Sequence, residues 1–287
     1  MRLNDSEIGY FVNNRLKLPA GKWSEYLAQV DHLIGYFKIK VDKAPAFGIR
    51  KFLKTGSLRK GTVLRPRDGF GVDADIAVYL KPKDLYEFDL DSLHSTILEL
   101  LISIYPSKKR NDFKIQPRTL GITFNTSGLA VDLVPILPID GPDDYGWQPS
   151  SRGEPPIKTS VSKQLEFIRI RKDSDARFQS LVRLLKHWRN YHELDDSFRS
   201  FLIELIASHL QDTYGPARSL EDGLLRFLLY VAQTELREEI YFTDNGEPSF
   251  LPKDRVVVLD PMNMGNNVAR RLTDKDCMEI VGKATEA

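Results

Sequence analysis

The segment Asp73-Ala74-Asp75-Ile76-Ala77-Val78-Tyr79-Leu80 constrains this chain more than any other. It reads as a β-strand, and side chains two apart on a strand point to the same face. Asp73 and Asp75 therefore present two carboxylates to one point. Without a cation they would repel, and one would tend to hold a proton. Side by side they are the hard oxygen donors that Mg²⁺ takes. A third acid, Asp132, lies in the most apolar strand of the chain, Ala130-Val131-Asp132-Leu133-Val134-Pro135-Ile136-Leu137, where an unpaired charge is costly. With that strand beside the first, the three acids form a cage able to hold two metal ions about 3.5–4 Å apart.

Upstream lies Gly56-Ser57, followed by Lys60-Gly61-Thr62. Glycine lets backbone N–H groups approach an anion, and the serine hydroxyl adds a donor. Lys60 lies within that turn and can add charge. Each piece has a plainer reading. Asp-x-Asp also suits a calcium or turn motif, Asp132 a paired charge, and Gly56-Ser57 an ordinary turn. Their joint order favours transfer of a nucleotidyl group at an α-phosphate, with one ion activating the attacking hydroxyl and the other holding the triphosphate.

Around this constellation the chain reads as α+β. The first 40 residues read as helix (Ile8, Phe11, Val12, then Trp23, Tyr26, Val30, Leu33, Phe37), broken at Pro19-Ala20-Gly21 into two stretches or, alternatively, one long helix kinked near Pro19. Strands follow from residue 47, around 73–80 (ended by Pro82), at 113–115, 119–125 and 130–137. Between them a helix runs from Leu90 to Tyr105. Residues 138–160, rich in Pro, Gly, Asp and Ser, read as a loop and the domain boundary. The expected domains are 1–157, a nucleotide-handling core with an N-terminal helical segment, and 158–287, mainly helical. In the second, apolar stripes mark helices around 178–188, 201–210 and 224–232, with a short strand at 255–259 and a last helix over 266–281.

Charge excludes some functions. The 41 Lys and Arg nearly cancel the 40 Asp and Glu among 287 residues, leaving +1. That balance disfavours long nucleic acid as a constitutive partner, since such proteins carry a basic excess. The single cysteine, Cys277, excludes an intrachain disulfide and suits a reducing cytoplasm. No apolar run reaches the ~20 residues of a membrane span, and the N-terminus has no signal-peptide core. Arg169, Arg171, Lys172, Arg177 and Arg183 either line a nucleotide site or form a solvated face. Arg270-Arg271 reads the same way. Lys186 falls with Arg183, His187 and Asn190 on the polar face of its helix, where a solvated charge is the default. His187 and His209 read as surface or core histidines rather than ligands.

The motifs resemble the polymerase-β-like nucleotidyltransferases, and within them the bacterial cyclic-oligonucleotide synthases of the cGAS/DncV-like group, nearest the clade with HORMA-domain partners. Gly56-Ser57-Leu58-Arg59-Lys60, Asp73-Ala74-Asp75-Ile76 and Val131-Asp132-Leu133-Val134 fit the catalytic half. Leu184-Leu185-Lys186-His187-Trp188, Phe198-Arg199-Ser200-Phe201 and Asp260-Pro261 with Asn266-Asn267-Val268-Ala269-Arg270 fit the helical half. The resemblance implies a mixed sheet with helices, then a helical domain closing an active-site cleft. It implies Asp73, Asp75 and Asp132 as metal ligands for two Mg²⁺ (Mn²⁺ as a substitute). Gly56, Ser57, Lys60, Lys186 and Ser200 would be phosphate contacts, and Phe201 either a base neighbour or a core residue.

The implied activity is metal-dependent, template-free synthesis of a cyclic di- or trinucleotide from nucleoside triphosphates, ATP foremost, in anti-phage defence. A HORMA-domain activator and a downstream effector that responds to the product would be partners. Two other readings stand beside it. One is a nucleotidyltransferase that adenylates RNA ends or a small molecule. The other is a nucleotide-binding or partner-docking module that has lost catalysis, which the presence of all three acids opposes.

Overall fold

The computed structural model describes residues 4–43, 47–66, 71–81, 90–139, 141, 144–244 and 246–287; the expected strand end at Pro82 lies outside them. Contacts divide the chain into two compact units, Leu18–Leu165 and a second made of Met1–Lys17 with Glu166–Ala287. The sequence reading places its boundary at 157/158 and puts the N-terminal segment with the sheet.

The first unit is built on a five-stranded sheet, β1 (Ile49–Thr55), β2 (Val72–Leu80), β3 (Phe113–Ile115), β4 (Leu120–Phe124) and β5 (Leu129–Ile136), in the order β1-β2-β5-β4-β3. Only β2 and β5 run parallel; every other pairing is antiparallel. Alternation sorts the side chains. Val72, Ala74, Ile76, Val78 and Leu80 of β2, with Val131 and Leu133 of β5, enter the main core. Across it lie α2 (Ala20–Lys43), through Val30, Leu33 and Phe37, and α4 (Leu90–Ile104), through Leu93, Ile97 and Leu101. The opposite parity puts Ala77 and Tyr79 in a smaller cluster with Ile136, Val161, Leu53 and Val134. Asp73 and Asp75 share that second parity, so they project from the face that α2 and α4 leave uncovered.

Segment 138–160, read from sequence as loop, holds a short hairpin of β6 (Gly146–Gln148) and β7 (Ile157–Thr159). Tyr79 anchors its edges: its hydroxyl accepts from Val161 N at 3.2 Å and donates to Asp144 O at 3.3 Å. Three-residue strands carry too little alternation to stand out among prolines and glycines.

In the second unit, α1 (Asp5–Phe11) passes into a π-helical turn at Val12–Leu16 and then extended chain at Lys17. The expected break at Pro19-Ala20-Gly21 is thus observed, and the alternative of one kinked helix is not, because the residue before a proline is disfavoured in helical backbone. The unit continues with α6 (Phe178–Tyr191), α7 (Ser200–Tyr214) and α8 (Leu220–Thr234), while α5 (Val161–Ser174) spans the division. The expected strand at 255–259 contracts to β8 (Leu259–Asp260), which pairs with β9 (Asn263–Asn267). The expected helix over 266–281 is overturned in its first half, where β9 and a turn precede α9 (Asp274–Glu286). Asn267 explains this locally. Its side chain accepts from Val258 N and Ala269 N, each at 3.0 Å, and donates to Val256 O at 2.7 Å. Thr273 and Asp276 then form the capping box that starts α9.

Cys277 is fully buried in this unit. Among the described residues, no helix is long and apolar enough to cross a membrane.

Candidate active site

One register row crosses the whole sheet. Thr55 pairs with Asp75, Asp75 with Asp132, Asp132 with Gly121, and Gly121 with Lys114. Register partners on adjacent strands point to the same face, so this row brings Asp75 and Asp132 side by side, with Asp73 two residues along. Asp73 is exposed and the other two are half-buried, at the one end of β2 that is not sealed.

Two glycines make room for the acids. Gly56 follows Thr55 directly, with φ +67°, and any Cβ there would overlap the Asp75 carboxylate. A Cβ on Gly121 would lie 2.6 Å from Asp132 Oδ1. At both positions a Cβ would displace the carboxylate it faces, and at Gly56 the positive φ adds backbone strain. Sequence inspection finds Gly56 through its Gly-Ser turn; Gly121 emerges only from the register.

The turn after β1 is a single helical turn, α3 (Gly56–Lys60), closed by Gly61 at φ +73°. Ser57 O accepts from Thr62 N at 2.9 Å and Val63 N at 3.1 Å, and Leu58 is buried, so the turn is pinned from both sides. Ser57 and Lys60 are half-exposed beside the row.

Burial lifts the Asp132 carboxyl above the ordinary carboxylate range, and the nearby Asp73 charge lifts it further. Lys114 and a hydrogen bond from Gln116 Nε2 to Asp132 Oδ2 at 3.3 Å oppose the shift. Gln116 and Lys114 were not legible as site residues, because neither lies in a recognisable motif. Among the described residues, no three acidic, His or Cys side chains already stand together at metal-ligating distance. Mutual repulsion of carboxylates opposes such closeness until a cation offsets it. The donor set nevertheless fits a divalent ion: hard oxygens on one face, cleared by two glycines.

In the second unit, Lys186 lies on α6 and Ser200 begins α7. The solvated-face reading of α6 is overturned for its charges: Lys186 is 5% exposed and Arg183 4%, while His187 and Asn190 are half-buried; Arg189 is buried as well. Burial pushes the Arg183 guanidinium down to about 10. Ser200 Oγ accepts from Arg189 Nη1 at 3.0 Å. Phe201 is half-buried, and the His187 ring packs tilted against Phe11, with centroids 5.2 Å apart.

The basic run also divides. Arg171 is buried and bridges Asp212 at 2.7 Å and Asp244 at 2.8 Å over the Phe167 ring, a role in holding the fold. Arg169 is exposed and pairs with Asp173 and Glu166.

Comparison with known proteins bears on both units. Residues 176–280 match the Nrap protein PAP/OAS1-like domain 5 family. The chain is 37% identical over 282 residues to the CBASS oligonucleotide cyclase CdnC of Escherichia coli (strain KTE188), covering 98% of this chain and 88% of that protein. It is 32% identical to the cyclic AMP-AMP-AMP synthase of Escherichia coli (strain MS 115-1), covering 98% of this chain and 88% of the other. The structure of E. coli MS115-1 CdnC with ATP superposes with TM-score 0.84 at 32% identity, over 99% of this chain and 90% of that one. The same protein in complex with HORMA-deltaN gives 0.83 at 32% identity, over 99% and 89%.

Proposed function

The chain belongs to the CBASS oligonucleotide cyclases, nucleotidyltransferases that build cyclic oligonucleotides from nucleoside triphosphates in anti-phage defence, and from that premise we propose that Asp73, Asp75 and Asp132 are its metal ligands and ATP its principal substrate. The observation that supports this most is the Asp75–Asp132 register pair with Asp73 on the same face. The family is divalent-metal dependent, and we assign two Mg²⁺ to the three carboxylates. Bound there, magnesium polarises phosphoryl oxygens and makes a ribose hydroxyl a better nucleophile.

The chain's own groups do the rest. Asp75 and Asp132 fix the ligand oxygens on adjacent parallel strands, so their spacing is set by the sheet. Gly56 leaves the Asp75 carboxylate unobstructed. The Ser57 hydroxyl donates to the donor triphosphate, and Lys60 adds positive charge beside it. Lys186 and Ser200 are assigned to the triphosphate by their match to the family motif. The ribose hydroxyl of one nucleotide attacks the α-phosphate of another, its proton is lost and pyrophosphate leaves. Repetition and a final intramolecular attack close the ring.

The relatives support an adenine-containing product, as the name cyclic AMP-AMP-AMP synthase states for one of them. The CdnC:HORMA-deltaN complex supports a HORMA-domain partner for this chain as well. A downstream effector that binds the cyclic product completes the proposed pathway.

The test is incubation of the chain, alone and with a HORMA-domain protein, with four NTPs and Mg²⁺, followed by phosphatase and mass spectrometry. The expected product is a phosphatase-resistant cyclic oligoadenylate. Elongation of added RNA, with no cyclic species, would favour the RNA-adenylating alternative instead.

A further inference from the structure

We propose that Gln116 and Gly121 are positioning residues for Asp132: the Gln116 amide holds one carboxylate oxygen, and the bare Cα of Gly121 leaves room for the other. The inference rests on the reading of Asp132 as a metal ligand. Gln116 Nε2 donates to Asp132 Oδ2 at 3.3 Å. Oδ1 occupies the space over Gly121, its register partner on β4, where a Cβ would come within 2.6 Å. The two contacts act on different oxygens of one carboxylate, so together they select its side-chain rotation.

The amide is not on a loose surface loop. Gln116 opens the turn between β3 and β4, and its N–H donates to Thr119 O at 2.9 Å. Pro117 O accepts from Ser151 N at 2.8 Å. The Arg118 guanidinium reaches Gln148 O and Pro155 O, each at 2.9 Å, and Glu154 Oε2 at 3.1 Å. The turn is thus tied to the segment around the β6–β7 hairpin.

The chemistry of the donor also fits. A glutamate at 116 would repel Asp132, and a lysine would pair with it and compete with the cation. A neutral amide orients the carboxylate without cancelling its charge. Groups that hold a ligand in place in this way typically change metal affinity by about 10–100-fold when removed.

The experiment is a Mn²⁺ titration followed by electron paramagnetic resonance, with a saturating non-hydrolysable ATP analogue, on the wild type and on Gln116→Ala, Gln116→Leu, Gly121→Ala and Asp132→Asn. Gln116→Ala and Gln116→Leu, which both remove the amide, are each expected to weaken Mn²⁺ binding about tenfold. In turnover, Gln116→Ala raises the Mg²⁺ concentration for half-maximal rate, while kcat at saturating Mg²⁺ and KM for ATP stay near wild type. Wild-type Mn²⁺ binding by Gln116→Ala, with binding lost in Asp132→Asn, would overturn this inference alone. Unchanged binding in Asp132→Asn would overturn the ligand assignment beneath it. Gln116 is half-exposed, so its variants decide the matter even if Gly121→Ala does not fold.

Discussion

Asp132 carries the conflict between stability and chemistry in a single side chain. Burial and the Asp73 charge raise its folded-state pKa above the unfolded value. An acid shifted upward stabilises the fold while protonated; that stability is present below the unfolded pKa and is lost as pH rises through the folded one. At neutral pH without divalent metal, the ionised carboxylate is therefore destabilising. Asp132→Asn is expected to raise the melting temperature by about 2–4 °C in chelator, the shift that corresponds to ~1 kcal/mol, while eliminating product formation. A lower melting temperature in chelator would show that the carboxylate is structural. The same shift sets a pH dependence for the metal. Protons compete for Asp132, so divalent affinity should fall on acidification, starting above the usual aspartate value of ~3.9. Mn²⁺ titrations across pH check this; a decline confined to the ordinary aspartate range would contradict it.

Among the elements, the β1–α3 turn shows how backbone geometry serves the site. Gly56 combines a positive φ with contact against Asp75, so Gly56→Ala must both strain the backbone and push the acid aside. It is expected to cost about 1–3 kcal/mol in denaturant unfolding and to remove most activity. Retained activity would separate the turn from the metal site. This much was legible: Gly-Ser, Asp-x-Asp and an acid in an apolar strand are short patterns on single strands. The facing of Asp75 and Asp132, and the close approach of Asp132 to Gly121, come from pairing between segments distant in sequence, which no local pattern encodes. Helix α6 misleads for a related reason. Its Arg183, Lys186, His187 and Asn190 read as a solvated face, yet packing buries Arg183 and Lys186 and half-buries the other two. If Lys186 serves the triphosphate, Lys186→Met, which keeps the aliphatic bulk, should raise KM for ATP about tenfold, the equivalent of one charge-assisted hydrogen bond. The melting temperature should stay near wild type. A large loss of stability with unchanged KM would assign the lysine to the fold.

For the whole molecule, one mixed sheet and one helical assembly are each closed by their own contacts. The sheet unit owes its core to the α2 and α4 face, which leaves the other face free to present acids. The helical unit is cross-linked by Arg171, which joins α5 to α7 and to Asp244. Its N-terminal helix belongs to it through Asp5, whose carboxylate accepts from Leu220 N at 2.6 Å and so caps α8 from a point far off in sequence. That long-range cap is invisible in the local sequence, as is the packing of α1 on α8 and of the turn at Val12–Leu16 on α6, which groups the first residues with the later ones. Anomalous scattering of Mn²⁺ in crystals grown with a non-hydrolysable ATP analogue decides whether the three acids hold the metal. Metal density is expected bounded by the carboxylates of Asp73, Asp75 and Asp132. Manganese bound elsewhere, with Asp132 contacting no metal, would contradict the ligand assignment.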